Sequence, residues 1–242
     1  MTITETNQRI VDFYIKQEHL KEEDYLPMFY DSVNGQKVLS IGLNPSMPRD
    51  IEDFLDKNNL TVKIFKNLSK LEQKKKIDTI IAYQRTLKYG SEEKKKMQYF
   101  NELEKFFKDL EYNGFNDFKQ NVYHYDFYQK RNTASREVKV ELRNQELVSE
   151  LIDHAKMIVD EVKPKIIFVF NAFVADLLKN NESFLNEDQI DDKLGCHLFN
   201  NIPVVLANQL SGAATSIVYR DILIWNSKRI LNTKKIINYN KK

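Results

Sequence analysis

A chain of 242 residues with 42% hydrophobic content has the material for one large core, so a single domain spanning residues 1–242 is expected. Its 37 Lys and Arg against 35 Asp and Glu leave a net charge of +2, which announces no nucleic-acid partner; only the local distribution of charge can. The one cysteine, Cys196, excludes an intrachain disulfide framework, a four-cysteine zinc site and a cysteine-ligated iron–sulfur cluster.

The four histidines form no ligand-spaced pair, which leaves only carboxylates or mixed ligands for a metal; no metal and no cofactor are expected. Residues 1–12 are polar and acidic rather than a basic segment leading into an apolar run, and no stretch approaches the length of a membrane span. Cytoplasmic residence without a membrane partner is the expectation.

Residues 7–19 carry Ile10, Val11, Tyr14 and Ile15 at helical spacing, and residues 20–30 read as a short helix or an irregular approach to the core. Together they form an N-terminal helical extension. Residues 37–43 are the first strong strand, and Asn44-Pro45-Ser46 ends it, because proline cannot continue a ladder and holds Asn44 in extended or turn geometry. Residues 47–89 read as an irregular, lysine-rich insertion, with Lys74-Lys75-Lys76 ahead of a helical patch at Ile77, Ile80 and Ile81.

Over residues 92–110 the spacing of Met97, Phe100, Leu103, Phe106, Phe107 and Leu110 predicts a helix whose apolar face covers the sheet. Residues 118–125 supply a second strand and residues 138–162 a long helix. Residues 165–170 give a third strand whose unbroken apolarity marks it as central and parallel. Asn171 opens a helix over residues 172–178, a polar loop runs through Gly195, and residues 203–206 form the fourth strand. A helix over residues 216–231 follows. The expected fold is α/β: a three-layer α/β/α sandwich around a four-stranded, mostly parallel sheet with right-handed crossovers. Such sheets bind ligands beyond the carboxyl ends of their strands, so four loops converge on one expected cleft.

The chemistry-bearing candidates sit in those loops. Asn44 follows Gly42 and Leu43 and precedes Pro45 and Ser46; its amide either acts on a ligand and a water, or simply closes a tight polar turn. Asn121 either reads a base edge through its amide or closes a turn after Phe118. Tyr125, Phe127 and Tyr128 precede Lys130 and Arg131, which suits ring stacking beside phosphate contacts, or core packing ahead of a solvated basic pair. In the last loop Gly212, Ala213 and Ala214 permit close backbone approach, and Ser211, Thr215 and Ser216 offer hydroxyls. Residues 217–242 hold seven basic residues and one acidic residue, Asp221, a local excess that suits either nucleic-acid contact or solubility.

Gly42-Leu43-Asn44-Pro45-Ser46 resembles the first active loop of the uracil-DNA glycosylase superfamily, where Gly-x-Asn-Pro occurs in several branches. The resemblance spans residues 36–231. It implies a monofunctional DNA glycosylase in which Asn44 orients the hydrolytic water or supports the cationic sugar, with Gly42, Leu43, Pro45, Ser46, Asn121, Tyr125 and Asn171 as substrate contacts. Asn121 matches the family asparagine that ends the second strand and reads the flipped pyrimidine. Asn208 falls where the family's final loop begins, as a leaving-base or transition-state contact. Gln209, Leu210, Ser211, Gly212 and Thr215 then contact DNA with Lys130 and Arg131, Leu210 serving as wedge. The family's Pro-Ser after the first residue of this loop is here Gln209-Leu210.

The implied partner is DNA and the implied state a monomer, acting on a modified or mismatched pyrimidine in base-excision repair or in defence against modified phage DNA. Two other classes stay open: a catalytically inactive DNA-binding relative, and a nucleotide- or phosphate-binding α/β protein. Neither glycine-bearing loop is a Walker or dinucleotide fingerprint.

Overall fold

The structure is a computed structural model, and it describes residues 3–16, 19–45, 49–91, 96–110, 118–131, 135–185, 190–191, 193–207 and 217–233. It is a mixed α/β fold. The chain opens with α1 (Ile3–Ile10), which runs on as a π-helical segment, Val11–Lys16. Strand β1 (Val38–Gly42) follows, buried along its whole length.

The stretch expected to be an irregular insertion is helical instead: α2 (Arg49–Lys57), α3 (Val62–Lys66) and α4 (Lys70–Tyr89). The signal for α4 is a capping box. Ser69 and Glu72 stand three apart; the Ser69 N–H donates to Glu72 Oε2 (3.0 Å) and the Glu72 N–H to Ser69 Oγ (3.4 Å), satisfying donors that a helix start leaves open. The Ser69 hydroxyl also donates to Glu72 Oε2, and it, together with the Ser69 N–H, holds the Glu72 carboxyl below the usual carboxylate range.

Helix α5 (Gln98–Asp109) agrees with the apolar spacing. The one-turn α6 (Phe118–Asn121) then leads into β2 (Val122–Asp126), so only the second half of the predicted strand is extended. The predicted long helix is two, α7 (Ser135–Glu141) and α8 (Gln145–Val162). Asn144 divides them: its Oδ1 accepts the N–H groups of Glu146 (2.9 Å) and Leu147 (3.2 Å) and so starts a new helix. Strand β3 (Ile166–Phe170) and α9 (Ala172–Lys179) fall where expected.

Among the described residues the sheet has six strands, not four, because the loop expected through Gly195 contributes β4 (Ile190–Asp191) and β5 (Cys196–Phe199) ahead of β6 (Ile202–Ala207). Asn200 and Asn201, both with positive φ (48° and 66°), form the tight turn that pairs Phe199 with Ile202. A two-residue turn with left-handed backbone matches the twist of a hairpin, and asparagine tolerates that geometry. Helix α10 (Ile217–Thr233) completes the order.

By contacts the chain forms two compact units, each assembled from separate segments. The first comprises Met1–Ser32, Asn44–Leu87 and Asp126–Glu161. In it, Phe54 and Tyr83 stack at 3.6 Å, bringing α2 against α4, and Asp31 pairs with Arg85. Burial opposes ionisation of Asp31, but Arg85 and the Ser32 N–H outweigh it and hold its carboxyl below the ordinary value.

The second unit comprises Val33–Leu43, Lys88–Tyr125 and Val162–Lys242. Its sheet runs β2-β1-β3-β6-β5-β4, with β1, β3 and β6 parallel and the β4–β5–β6 end antiparallel. Strand β2 runs parallel to β1 as well: the Lys37 N–H donates to Asn121 C=O (3.1 Å) at the start of both strands, and Ser40 Oγ lies 3.2 Å from His124 Nδ1 three residues further along each. Phe168 and Phe170 stand on one face of β3 and meet Phe106 and Phe107 of α5 edge to face at 5.2–6.2 Å. Ile167 and Val169, on the opposite face, are equally buried, which is why the strand carries no polar residue.

Candidate functional site

In the second unit the register decides which candidates meet. Ile41 pairs with Val169, and Phe170 with Ala207, so Gly42, Phe170 and Ala207 stand level on the carboxyl edge of the sheet. Strand β1 connects to β2 on one side, and β3 lies on the other, so the order reverses between β1 and β3. Parallel sheets hold ligands at such a point, because the loops on either side part and leave a crevice. Gly42 and Leu43 leave β1 there, Asn171 leaves β3 beside them, and residue 208 follows the end of β6 in the chain.

Asn171 has a local role. Its backbone is extended (φ −159°, ψ 122°) and its Oδ1 accepts the Val174 N–H at 3.1 Å, capping α9. The side-chain oxygen is thereby committed, and the half-buried amide NH2 is what it has to offer a ligand.

Asn121 stands at the other end of the sheet. It is the last residue of α6 and enters β2 rather than ending it, and its carbonyl holds the Lys37 N–H where β1 begins. From Lys37 to Gly42 the strand rises about 16 Å. The expectation that Asn121 joins the loops around Gly42 is therefore corrected: strand direction puts it on the amino edge, beside Lys37 and Lys165.

Tyr125, near the carboxyl end of β2, is fully buried, so its ring packs in the core instead of presenting a stacking face.

In the first unit, Asn44 is half-buried and its Nδ2 donates to the Pro45 carbonyl at 3.1 Å, a bond that fixes the amide against its own turn. Pro45 is buried. Phe127 and Tyr128 are also core residues, and the Tyr128 hydroxyl bonds Glu141. Burial, reinforced by Glu141, pushes the Tyr128 phenol far above the usual tyrosine range and keeps it protonated. Lys130 pairs with Glu141 at 3.0 Å. Lys130 and Arg131 are thus not the exposed phosphate-facing pair expected, one being neutralised and the other buried.

Arg131 is the least ordinary polar residue of that unit. Only 8% exposed, it has no carboxylate within ion-pair distance among the described residues, and its Nε is buried without a hydrogen-bond partner. Burial lowers its pKa to about 10, opposed by the field of Asp126. With the Gln84 amide oriented to satisfy both its ends, its nitrogen donates to the Phe29 carbonyl (2.6 Å) and its oxygen accepts from Arg131 Nη2 (3.2 Å). Nearby, the Tyr30 hydroxyl accepts the Asp126 N–H (3.2 Å) and the Gln129 amide donates to the Asp126 carbonyl (2.7 Å). Sequence reasoning missed Gln84 and Tyr30, and no local pattern marks them, since they reach this network through the fold.

Ser46, Asn208, Gln209, Leu210, Ser211, Gly212 and Thr215 lie outside the described residues. Among the described residues no group of three or more His, Cys, Asp or Glu could hold a metal ion, and no helix is long and apolar enough to cross a membrane. Compared with models of protein families and with curated proteins, the chain matches none.

Proposed function

We propose that this chain is a monofunctional DNA glycosylase of the uracil-DNA glycosylase-like type, hydrolysing the N-glycosidic bond of a flipped, modified or mismatched pyrimidine. The observation that supports it best is the exit of β1 at Gly42 and Leu43, level with the exits of β3 and β6 at the point where strand order reverses. Asn44 and Pro45 follow at once in the chain, completing the Gly-x-Asn-Pro pattern.

In the reaction a water oxygen bonds to C1′, the C1′–N bond breaks, the base departs with the bonding electrons, and the proton that the water loses ends on the departed base. Asn44 carries no titratable group; its amide oxygen accepts a hydrogen bond from the water and fixes its direction, a positioning role. Asn208 contacts the leaving base, and the small residues after it admit the DNA backbone. The reading includes helices on both sheet faces, action as a monomer without cofactor, cytoplasmic residence, and a place in repair or in defence against modified DNA.

One observation favours a second reading, a DNA-binding relative without catalysis: Asn121, the base-reading amide of the resemblance, stands on the opposite edge of the sheet from Gly42. Incubation with a panel of DNAs bearing modified and mismatched pyrimidines, with mass detection of released base and abasic product, separates the two. Released base supports the glycosylase. Binding with no product across the panel selects the second reading.

A further inference from the structure

Helix α10 buries Leu223, Ser227, Ile230 and Leu231 along one side, and its solvent side carries two large apolar residues among polar ones. Ile222 (53% exposed), Trp225 (62%) and Arg229 follow one another at three- and four-residue spacing, one stripe on the outer arc. The Arg229 guanidinium lies 5.4 Å from the centre of the Trp225 ring, and its Nη2 donates to the Leu194 carbonyl at 2.6 Å. That bond anchors the cation to the turn before β5, so it is held beside the indole instead of sweeping through solvent.

An exposed aromatic face backed by a fixed cation is costly to leave in water, and it matches the chemistry of an unpaired nucleobase next to its phosphate. Charge points the same way. The sequence from residue 217 onward carries seven basic residues against Asp221 alone; within α10, Arg220 pairs with Glu102 (3.2 Å) and Asp109 (3.0 Å), while Arg229 stands beside the indole. We infer that Trp225 and Arg229 form a stacking platform on α10 for a base of single-stranded DNA, the indole taking the base and the Arg229 guanidinium the adjacent phosphate. The inference rests on the DNA reading above.

Trp225 is the chain's only tryptophan, so its emission reports this surface alone. The test titrates the full chain with a fluorescein-labelled 20-nucleotide thymine oligomer. Binding is read by anisotropy and contact by tryptophan quenching, with heparin as a polyanion lacking bases. The expected result is quenching that tracks binding, little quenching by heparin, and an affinity about tenfold weaker for Trp225→Ala, with Arg229→Gln weakened less. Because Trp225 is exposed, its replacement leaves the fold intact, which circular dichroism verifies.

Binding without quenching, equal affinity for Trp225→Ala, or equal quenching by heparin overturns the platform and leaves the glycosylase reading standing. Emission that shifts with protein concentration alone also overturns it, assigning the face to a second copy of the chain. Quenching and weakened binding with no base released from any DNA uphold the platform and remove the glycosylase reading. No DNA binding at all removes both.

Discussion

The two edges of the sheet carry the same kind of residue to opposite effect. On the carboxyl edge Gly42, Leu43 and Asn171 stand where strand order reverses, level with the end of β6. On the amino edge Asn121 stands with Lys37 and Lys165, its carbonyl spent on the Lys37 N–H. An asparagine beside a strand is thus not informative until the strand's direction is known, because that alone decides which end of the sheet receives it.

The comparison is tested most severely at the residue both edges depend on. Phe168, fully buried in the middle of β3 against Phe106 and Phe107, should cost about 3–5 kcal/mol of stability when changed to Ala. Urea unfolding measures it, and a loss under 1 kcal/mol would mean that β3 is not the packed axis of the sheet.

A large effect away from the sheet has to be recognised before any pH profile is read as chemistry. His154 is 2% exposed, packs edge to face on Phe13 at 5.4 Å, and has neither ring nitrogen hydrogen-bonded. Burial, then the charge of Arg9, lowers its pKa to about 4. Above pH 6.5 it is neutral folded and unfolded. Between 6.5 and about 4 the unfolded chain takes up a proton that the folded chain refuses, so stability falls with falling pH, by about 3 kcal/mol across that window, and levels off below it. Unfolding of His154→Phe at pH 7, 5.5 and 4.5 should lack this slope. A slope equal to that of the parent would place the acid sensitivity elsewhere.

The proposed roles of the two asparagines are compared by Asn44→Ala, after β1 in the chain, and Asn121→Ala, before β2. The first should lower the single-turnover rate of base release about 100-fold, with DNA affinity changed less than about threefold. The second should leave the rate and the ranking of bases within about twofold. Were Asn121→Ala to reorder the ranking, the division of roles would fail.

The smallest effect sharpens the reading of Asn171. Its change to Ala should cost about 1 kcal/mol through the lost α9 cap, and Asn171→Asp, which keeps the capping oxygen, should restore most of it. If the Asp variant regains stability but not base release, the amide NH2 touches substrate. If both return together, Asn171 is a cap and nothing more.

Strands β1, β3 and β6 were legible because unbroken apolar runs such as Ile166–Phe170 have no alternative burial, and α5 because its phenylalanines fall on one face. What escaped was carried by polar residues in local roles: Ser69 and Glu72 starting α4, Asn144 dividing α7 from α8, Asn200 and Asn201 turning β5 into β6. Each hydrogen-bonds or bends its own backbone, and a hydrophobic pattern does not register that. Near Gly42 to Pro45 the end of β1 carried a local sign, because proline cannot continue a strand. The burial of Tyr125 and Arg131 carried none, since it depends on partners distant in sequence.

The parallel pairing of β1 with β3 has a consequence in time. Val38 is registered against Ile166, roughly 130 residues later in the chain. At ribosomal rates of about 5–20 residues per second, β1 waits on the order of 10 s for that neighbour to be made. Strand β2 is made earlier and can pair with one edge of β1, but the other edge stays open throughout that interval, so Leu39 and Ile41, which the finished sheet hides completely, keep an incomplete cover. Among the pairings of this sheet the longest wait is therefore that of its first strand, the place where a chaperone that holds extended apolar segments has most to cover.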